Sequence, residues 1–219
     1  MTETNFKEID ETHHRRLKPP GLLLVTLTAI WLGVVGIGLS WMWEYETTPG
    51  EITKSPTHWP VESQIERSAS CPTLIVFAHP RCPCTRASIR ELELIMAHCN
   101  GRVDARVLFF KPTDSSAEWE KTDLWLSAEA IPGVKVHCDE DCSEAEKFCA
   151  TTSGYSLLYN PNGQLLFSGG ITGSRGHSGD NAGRSSIESL VMNGVTNQKR
   201  TFVFGCSLLG QDDDYTKEN

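Results

Sequence analysis

Positive charge is in short supply in this chain: 20 lysines and arginines stand against 28 aspartates and glutamates, for a formal net charge of −8. Residues 1–43 hold four basic side chains (Lys7, Arg15, Arg16, Lys18) and four acidic ones (Glu3, Glu8, Asp10, Glu11). These cancel, so the acidic excess lies entirely in residues 44–219. An acidic body repels phosphate backbones, and nucleic-acid binding is left without electrostatic support. Internal repeats and low-complexity tracts are also missing, so an array of small repeated units is not the architecture.

Charge is absent altogether from one stretch. Gly21 to Trp43, GLLLVTLTAIWLGVVGIGLSWMW, is 23 residues long and has no ionisable side chain. At about 1.5 Å per helical residue it matches a hydrocarbon core of roughly 30 Å. Trp41 and Trp43 crowd its far end, where indole rings favour the membrane interface. A cleaved leader would have a shorter core and a small-x-small cleavage site, whereas this core is long and ends in Trp-Met-Trp-Glu. Arg15, Arg16 and Lys18 precede the run, and Glu44 and Glu46 come after it. The positive-inside bias then predicts a single-pass anchor in a cell inner membrane, with residues 1–20 in the cytoplasm and residues 44–219 outside it.

Eight cysteines are a heavy load for residues 44–219, where all of them lie. In an oxidising compartment they point to disulfides or thiol chemistry rather than to cytosolic zinc. Residues 44–70, with Pro49, Pro56 and Pro60, are expected to form a linker: a tether or an irregular lead-in. Residues 71–219 read as one globular domain. TLIVFA (73–78) is a continuous apolar run, as a strand covered on both faces should be. After Thr85, Ile89, Leu92, Met96 and Cys99 mark one face of a helix ending near Asn100-Gly101. Val103 to Phe110 alternates as a second strand. Ser115 and Glu118 form a capping-box pattern that predicts a helix carrying Trp119 and Trp125. Ser156–Tyr159 and Gln164–Ser168 flank Asn160-Pro161-Asn162-Gly163, a hairpin signal. A Gly-rich loop, 169–183, precedes a last helix with Ile187, Leu190 and Val191.

Cys82-Pro83-Cys84 falls at the turn between the first strand and the first long helix. That order resembles the thioredoxin superfamily over roughly Cys71 to Gly194. More narrowly, HPRCPCTRAS (79–88), ATTSG (150–154) and GGITGSRGHSGDNAG (169–183) resemble a group of bacterial envelope thioredoxin-like proteins labelled RedB. The resemblance implies an α/β fold, a central mixed sheet flanked by helices, and a redox-active disulfide in the periplasm. Its implied partner is a thiol- or disulfide-bearing envelope protein, and no cofactor is implied.

A thiolate is the reactive form of cysteine, and a helix N-terminus stabilises it. Alignment from the strand makes Cys82 the attacking cysteine and Cys84 the resolving one; alignment from the helix makes Cys84 the family's second cysteine. The family pattern is Cys-x-x-Cys, so one residue is missing here. Two residues of extended chain span up to about 7 Å, at the edge of the roughly 4.4–6.8 Å disulfide window, and Pro83 stiffens the turn further. A Cys82–Cys84 disulfide would therefore be strained and oxidising. The family's proline ahead of the hairpin is also missing: Gly154 stands in its place, which puts substrate docking by the usual backbone pairing in doubt.

Supporting candidates are His79, three residues ahead of Cys82, then Arg175 and His177 in the Gly-rich loop, and Cys206, which could fold back as a resolving thiol. Either histidine could tune the thiols, or simply end a strand and sit in a solvated loop. The competing function is a copper handler in the style of Sco proteins, with Cys82, Cys84 and His177 (or His79 or Cys206) as ligands, since soft thiolates favour Cu(I). Cys138, Cys142 and Cys149 are spaced by four and seven, one face if helical, and read either as a zinc cluster with His137 or as a Cys138–Cys142 or Cys142–Cys149 crosslink. Cys71 and Cys99 are expected to be packing residues or a structural pair.

Overall fold

A computed structural model describes residues 20–51 and 53–208. The basic residues Arg15, Arg16 and Lys18, and with them the expected cytoplasmic tail, lie outside the described residues. Helix α1, Pro20–Thr47, contains the apolar run, with a mean hydropathy of 2.4, and none of it is buried. It is long and apolar enough to cross a membrane.

The second unit, Glu44–Asn219, is built on a sheet. Its strands are β1 (Thr73–Ala78), β2 (Asp104–Lys111), β3 (Val134–Glu140), β4 (Tyr155–Tyr159) and β5 (Leu165–Gly170), in the order β3-β2-β1-β4-β5. β1, β2 and β3 are parallel; β4 is antiparallel to β1, and β5 to β4. Helices α2 (Pro83–Cys99), α3 (Asp123–Glu129), α4 (Ser143–Lys147) and α5 (Ala182–Asn193) connect or succeed the strands. This is a thioredoxin-like fold, a mixed sheet with helices on both faces.

The uniform apolarity of β1 has a direct cause. Successive strand side chains point to opposite faces, and both faces are covered. Leu74, Val76 and Ala78 join one core with Ile89, Leu92, Met96 and Cys99 of α2 and Ile187 and Leu190 of α5. Ile75 and Phe77 join the other, with Phe148, Tyr159 and the partly buried Trp59. β2 divides the same way, Ala105, Val107 and Phe109 against Leu108. α2 ends where expected, with Asn100 in the left-handed region at φ 43°.

Two expectations change. The Ser115–Glu118 pattern does not open a helix: Ser115 Oγ donates back to Pro112 O at 2.5 Å, Glu118 pairs with Lys121, and α3 waits until Asp123. Cys138, Cys142 and Cys149 share no helix face. Cys138 lies in β3, while Cys142 and Cys149 adopt left-handed backbone at the two ends of α4. The lead-in ahead of Cys71 is irregular and packs on the sheet at several points: Tyr159 Oη donates to Pro56 O (2.9 Å), Ser55 Oγ and Tyr155 Oη meet at 2.9 Å, and Trp59 sits edge-on to Phe148 and Tyr159.

Candidate active site

The turn after β1 sets up the site. Cys82 is the N-cap of α2, with extended backbone (φ −81°, ψ 121°), and Pro83 occupies the first helical turn. Proline suits that position because its fixed φ is already helical and its missing N–H would have had no partner there. Cys84 therefore lies inside the helix and Cys82 just outside it. Both thiols are buried, at 2% and 5% exposure.

A second segment is fastened onto this turn. Ser153 Oγ accepts from His79 N (2.9 Å) and lies 2.8 Å from Thr85 Oγ1, which also donates to His79 O (3.0 Å). Gly154 N donates to Phe77 O at 2.7 Å. Gly154 has φ +90°, and a Cβ there would stand 2.9 Å from Ser88 Oγ, so the conformation and the close approach both call for glycine.

The C-terminal segment forms the third side. Ser153 N donates to Cys206 O (2.8 Å), Leu208 N donates to Thr151 O (2.7 Å), and Thr152 and Ser207 form an antiparallel bridge. Cys206 Sγ comes to 2.6 Å from Cys82 Sγ across a separation of 124 residues. Arg175 reaches the same place: its Nη1 donates to Gly205 O (2.8 Å), its Nε to Thr48 O (3.3 Å), and its guanidinium lies 5.0 Å from the Tyr45 ring.

The three sulfurs divide their protons unequally. Hydrogen bonding from Cys206, and then from Cys84, pulls Cys82 well below the ordinary thiol value, against burial, which pushes it up. The same contacts, Cys82 first and then Cys84, hold Cys206 well above it. Cys84 is drawn down by Cys206, but the Cys82 contact, burial and the Cys82 charge together leave it raised, with Arg175 opposing. Of the three sulfurs, Cys82 is the one whose contacts favour the thiolate, while those of Cys84 and Cys206 favour the thiol. The remaining cysteines differ: burial pushes Cys99 to about 11 and Cys142 to about 12.

The histidine rings make other contacts as well. The His79 ring packs against Phe110 and Trp119, at 5.6 and 5.7 Å, and its Nδ1 accepts from Arg81 N. His177 is exposed, and its Nε2 faces Glu46 Oε2 at 3.4 Å. Among the described residues no three His, Cys, Asp or Glu side chains are arranged to hold a metal ion. All eight cysteines, which lie among the described residues, are free thiols, and Cys138 is exposed while Cys142 is buried. The sequence did not reveal the parts played by Thr85 and Ser153. Their hydroxyls matter only through a juxtaposition 68 residues apart.

The Gly-rich loop that carries Arg175 is tied down by Glu91, which is fully buried on α2. Glu91 accepts from Gly179 N (2.7 Å) and Asn181 Nδ2 (3.1 Å) and pairs with Arg184 (3.3 Å).

No family model and no curated protein matches this sequence. Solved structures match at the level of fold. A hypothetical protein, SMc02350, from Sinorhizobium meliloti 1021 is 15% identical with a TM-score of 0.57, over 75% of this chain and 98% of that one. An uncharacterized conserved protein from Geobacillus kaustophilus is 15% identical with a TM-score of 0.54, over 75% and 93%. A secreted Mycobacterium tuberculosis disulfide oxidoreductase homologous to E. coli DsbE is more distant, at 13% identity and a TM-score of 0.40, over 56% and 81%.

Proposed function

We propose that this chain is a membrane-anchored thiol-disulfide oxidoreductase of the bacterial envelope, of the RedB-like kind, with Cys82 of the Cys82-Pro83-Cys84 pair as its attacking thiolate. The observation that carries the reading is the position of Cys82: at the N-cap of α2, with two further thiols at its sulfur. Hydrogen bonding to a thiolate favours it over the thiol. The uncharged run in α1, with basic residues before it and acidic ones after, supports an exported domain.

The chemistry is disulfide exchange. The Cys82 thiolate attacks one sulfur of a partner's disulfide, the partner's other sulfur leaves as a thiolate, and a mixed disulfide remains. A second thiol of the cluster then attacks Cys82 Sγ and releases the partner reduced. Cys84, kept protonated beside Cys82, belongs to the same centre. The partner is an envelope protein bearing a disulfide or dithiol.

Intact mass of the purified chain, before and after a reductant and with metal content determined in parallel, tests this reading. The expected result is a reversible gain of two hydrogens on reduction, lost in Cys82→Ser, without stoichiometric metal. Stoichiometric copper that disappears with Cys82→Ser, and no reversible disulfide, would make the chain a metal handler instead.

A further inference from the structure

The sequence offers Cys84 as the obvious partner for Cys82, but the geometry favours another sulfur. Cys206 reaches Cys82 through a docked strand and not through a loose side chain. Residues 203–208 are hydrogen-bonded on both flanks of Cys206, by Ser153 N on the residue itself, by Leu208 N to Thr151 O, and by Gly50 N to Val203 O (2.8 Å). Gly205 lies so close to the 152–154 segment that a Cβ would collide with Ser153 O. Arg175 clamps the carbonyl of Gly205. The tail is therefore registered by its backbone, and that register sets Cys206 Sγ 2.6 Å from Cys82 Sγ. The bonded distance is roughly 2.05 Å, so little movement is needed.

Cys84 has no such freedom. It sits in the first turn of α2, one proline removed from Cys82, and its approach would strain the ring that closes across Pro83. A bond to Cys206 closes through 124 residues of chain and carries no such constraint.

We infer that Cys206 is the resolving thiol of this site, so that the oxidised chain holds a Cys82–Cys206 disulfide while Cys84 remains a thiol; the inference rests on the oxidoreductase reading. The tail segment then acts as a built-in strand, laid along residues 151–153, that delivers the second sulfur. The step balances. The Cys82 thiolate attacks the partner's disulfide, forming the mixed disulfide and expelling one partner thiolate. Cys206 gives its proton to that leaving thiolate or to solvent, and its sulfur attacks Cys82 Sγ. The Cys82–Cys206 bond forms as the mixed disulfide breaks, and the second partner thiolate takes up a proton. The partner's disulfide gains two electrons, which the two cysteines lose, and a dithiol protein returns them in the reverse exchange. Cys84 stays in the first turn of α2 as a thiol.

Disulfide mapping of the aerobically oxidised full chain in detergent, repeated on Cys84→Ser to separate the two cysteines of one peptide, tests the assignment. Trypsin cuts after Arg81, Arg86, Arg200 and Lys217, which isolates 82–86 and 201–217. These two peptides should be crosslinked, released by reduction, and still crosslinked in Cys84→Ser. A disulfide internal to 82–86, with Cys206 free, overturns the inference. Trapping against a small aromatic disulfide gives the kinetic counterpart. Cys206→Ser, or Cys206→Ala if serine disturbs the tail, should accumulate the mixed disulfide on Cys82, and Cys84→Ser should release it at the parent's rate. Accumulation in Cys84→Ser alone would make Cys84 the resolving thiol and leave the oxidoreductase reading standing. If Cys82 forms no disulfide in any variant or in the parent, that reading falls and this inference with it.

Discussion

A thiol reacts at neutral pH only when its proton has already gone, and in this protein the cysteines differ chiefly in what surrounds each sulfur. Cys82 has donors at its sulfur that favour the thiolate, whereas Cys99 and Cys142 lie in apolar cores that favour the thiol. The pH dependence rests on those directions. An ordinary thiol, with a pKa of about 8.5, loses reactivity steadily below that value. Cys82, lowered by Cys206 and Cys84, keeps its thiolate as the pH falls through that range, losing it only at its own lower value. In the reduced native chain, alkylation with iodoacetamide at mildly acidic pH should therefore mark Cys82 first and leave Cys99 and Cys142 untouched, as read by peptide mass spectrometry. Equal labelling of Cys82 and an unfolded-chain control at every pH would show that nothing stabilises its thiolate. The sequence made Cys82 visible through an apolar strand leading into Cys-Pro-Cys. It could not make Ser153 or Thr85 visible, because a hydroxyl has no pattern until the fold brings its partner. Cys206 was legible only as a candidate, since its partner lies 124 residues away.

At the level of elements, the buried pieces were readable and the edge pieces were not. β1, α2, the β4–β5 hairpin and α5 announce themselves by apolar runs, helical spacing and turn residues, because both their faces or one wide face is buried. β3 has no such signal. It is an edge strand with only Asp139 fully buried, and its cysteine joins a spacing of four and seven that imitates a helix. The Ser115–Glu118 pattern failed because each side chain found a closer local partner. Leu92 is fully buried on α2, so Leu92→Ala should cost about 2–5 kcal/mol in denaturant unfolding, and Leu92→Asp should prevent folding. A Leu92→Asp chain that melts like the parent would place that face of α2 in solvent. The tail makes a separate prediction. Gly205→Ala must push Cβ against the Ser153 carbonyl. Hydrogen exchange at residues 203–208 should then quicken while β1 and α2 keep the parent's protection. Unchanged exchange at 203–208 would mean that the tail is not held by that close approach.

For the whole molecule, an apolar helix long enough to cross a membrane and eight cysteines occur in one chain, and the proposed disulfide chemistry calls for an oxidising compartment. The run from Gly21 to Trp43, basic before and acidic after, predicts that the chain enters the membrane with its N-terminus inside. Alkaline phosphatase fused after Asn219 should be active, because that reporter matures only on the oxidising side. An inactive, protease-protected fusion would reverse the orientation and remove the compartment argument for disulfide chemistry.

The central claim is catalytic turnover of disulfides by Cys82, and its most direct measurement is the rate at which the full chain in detergent reduces a model protein disulfide at the expense of a dithiol. The expected rate is well above the uncatalysed exchange, lost in Cys82→Ser and dependent on Cys206. A Cys82→Ser chain that matches the parent, or a parent no faster than the dithiol alone, would contradict it.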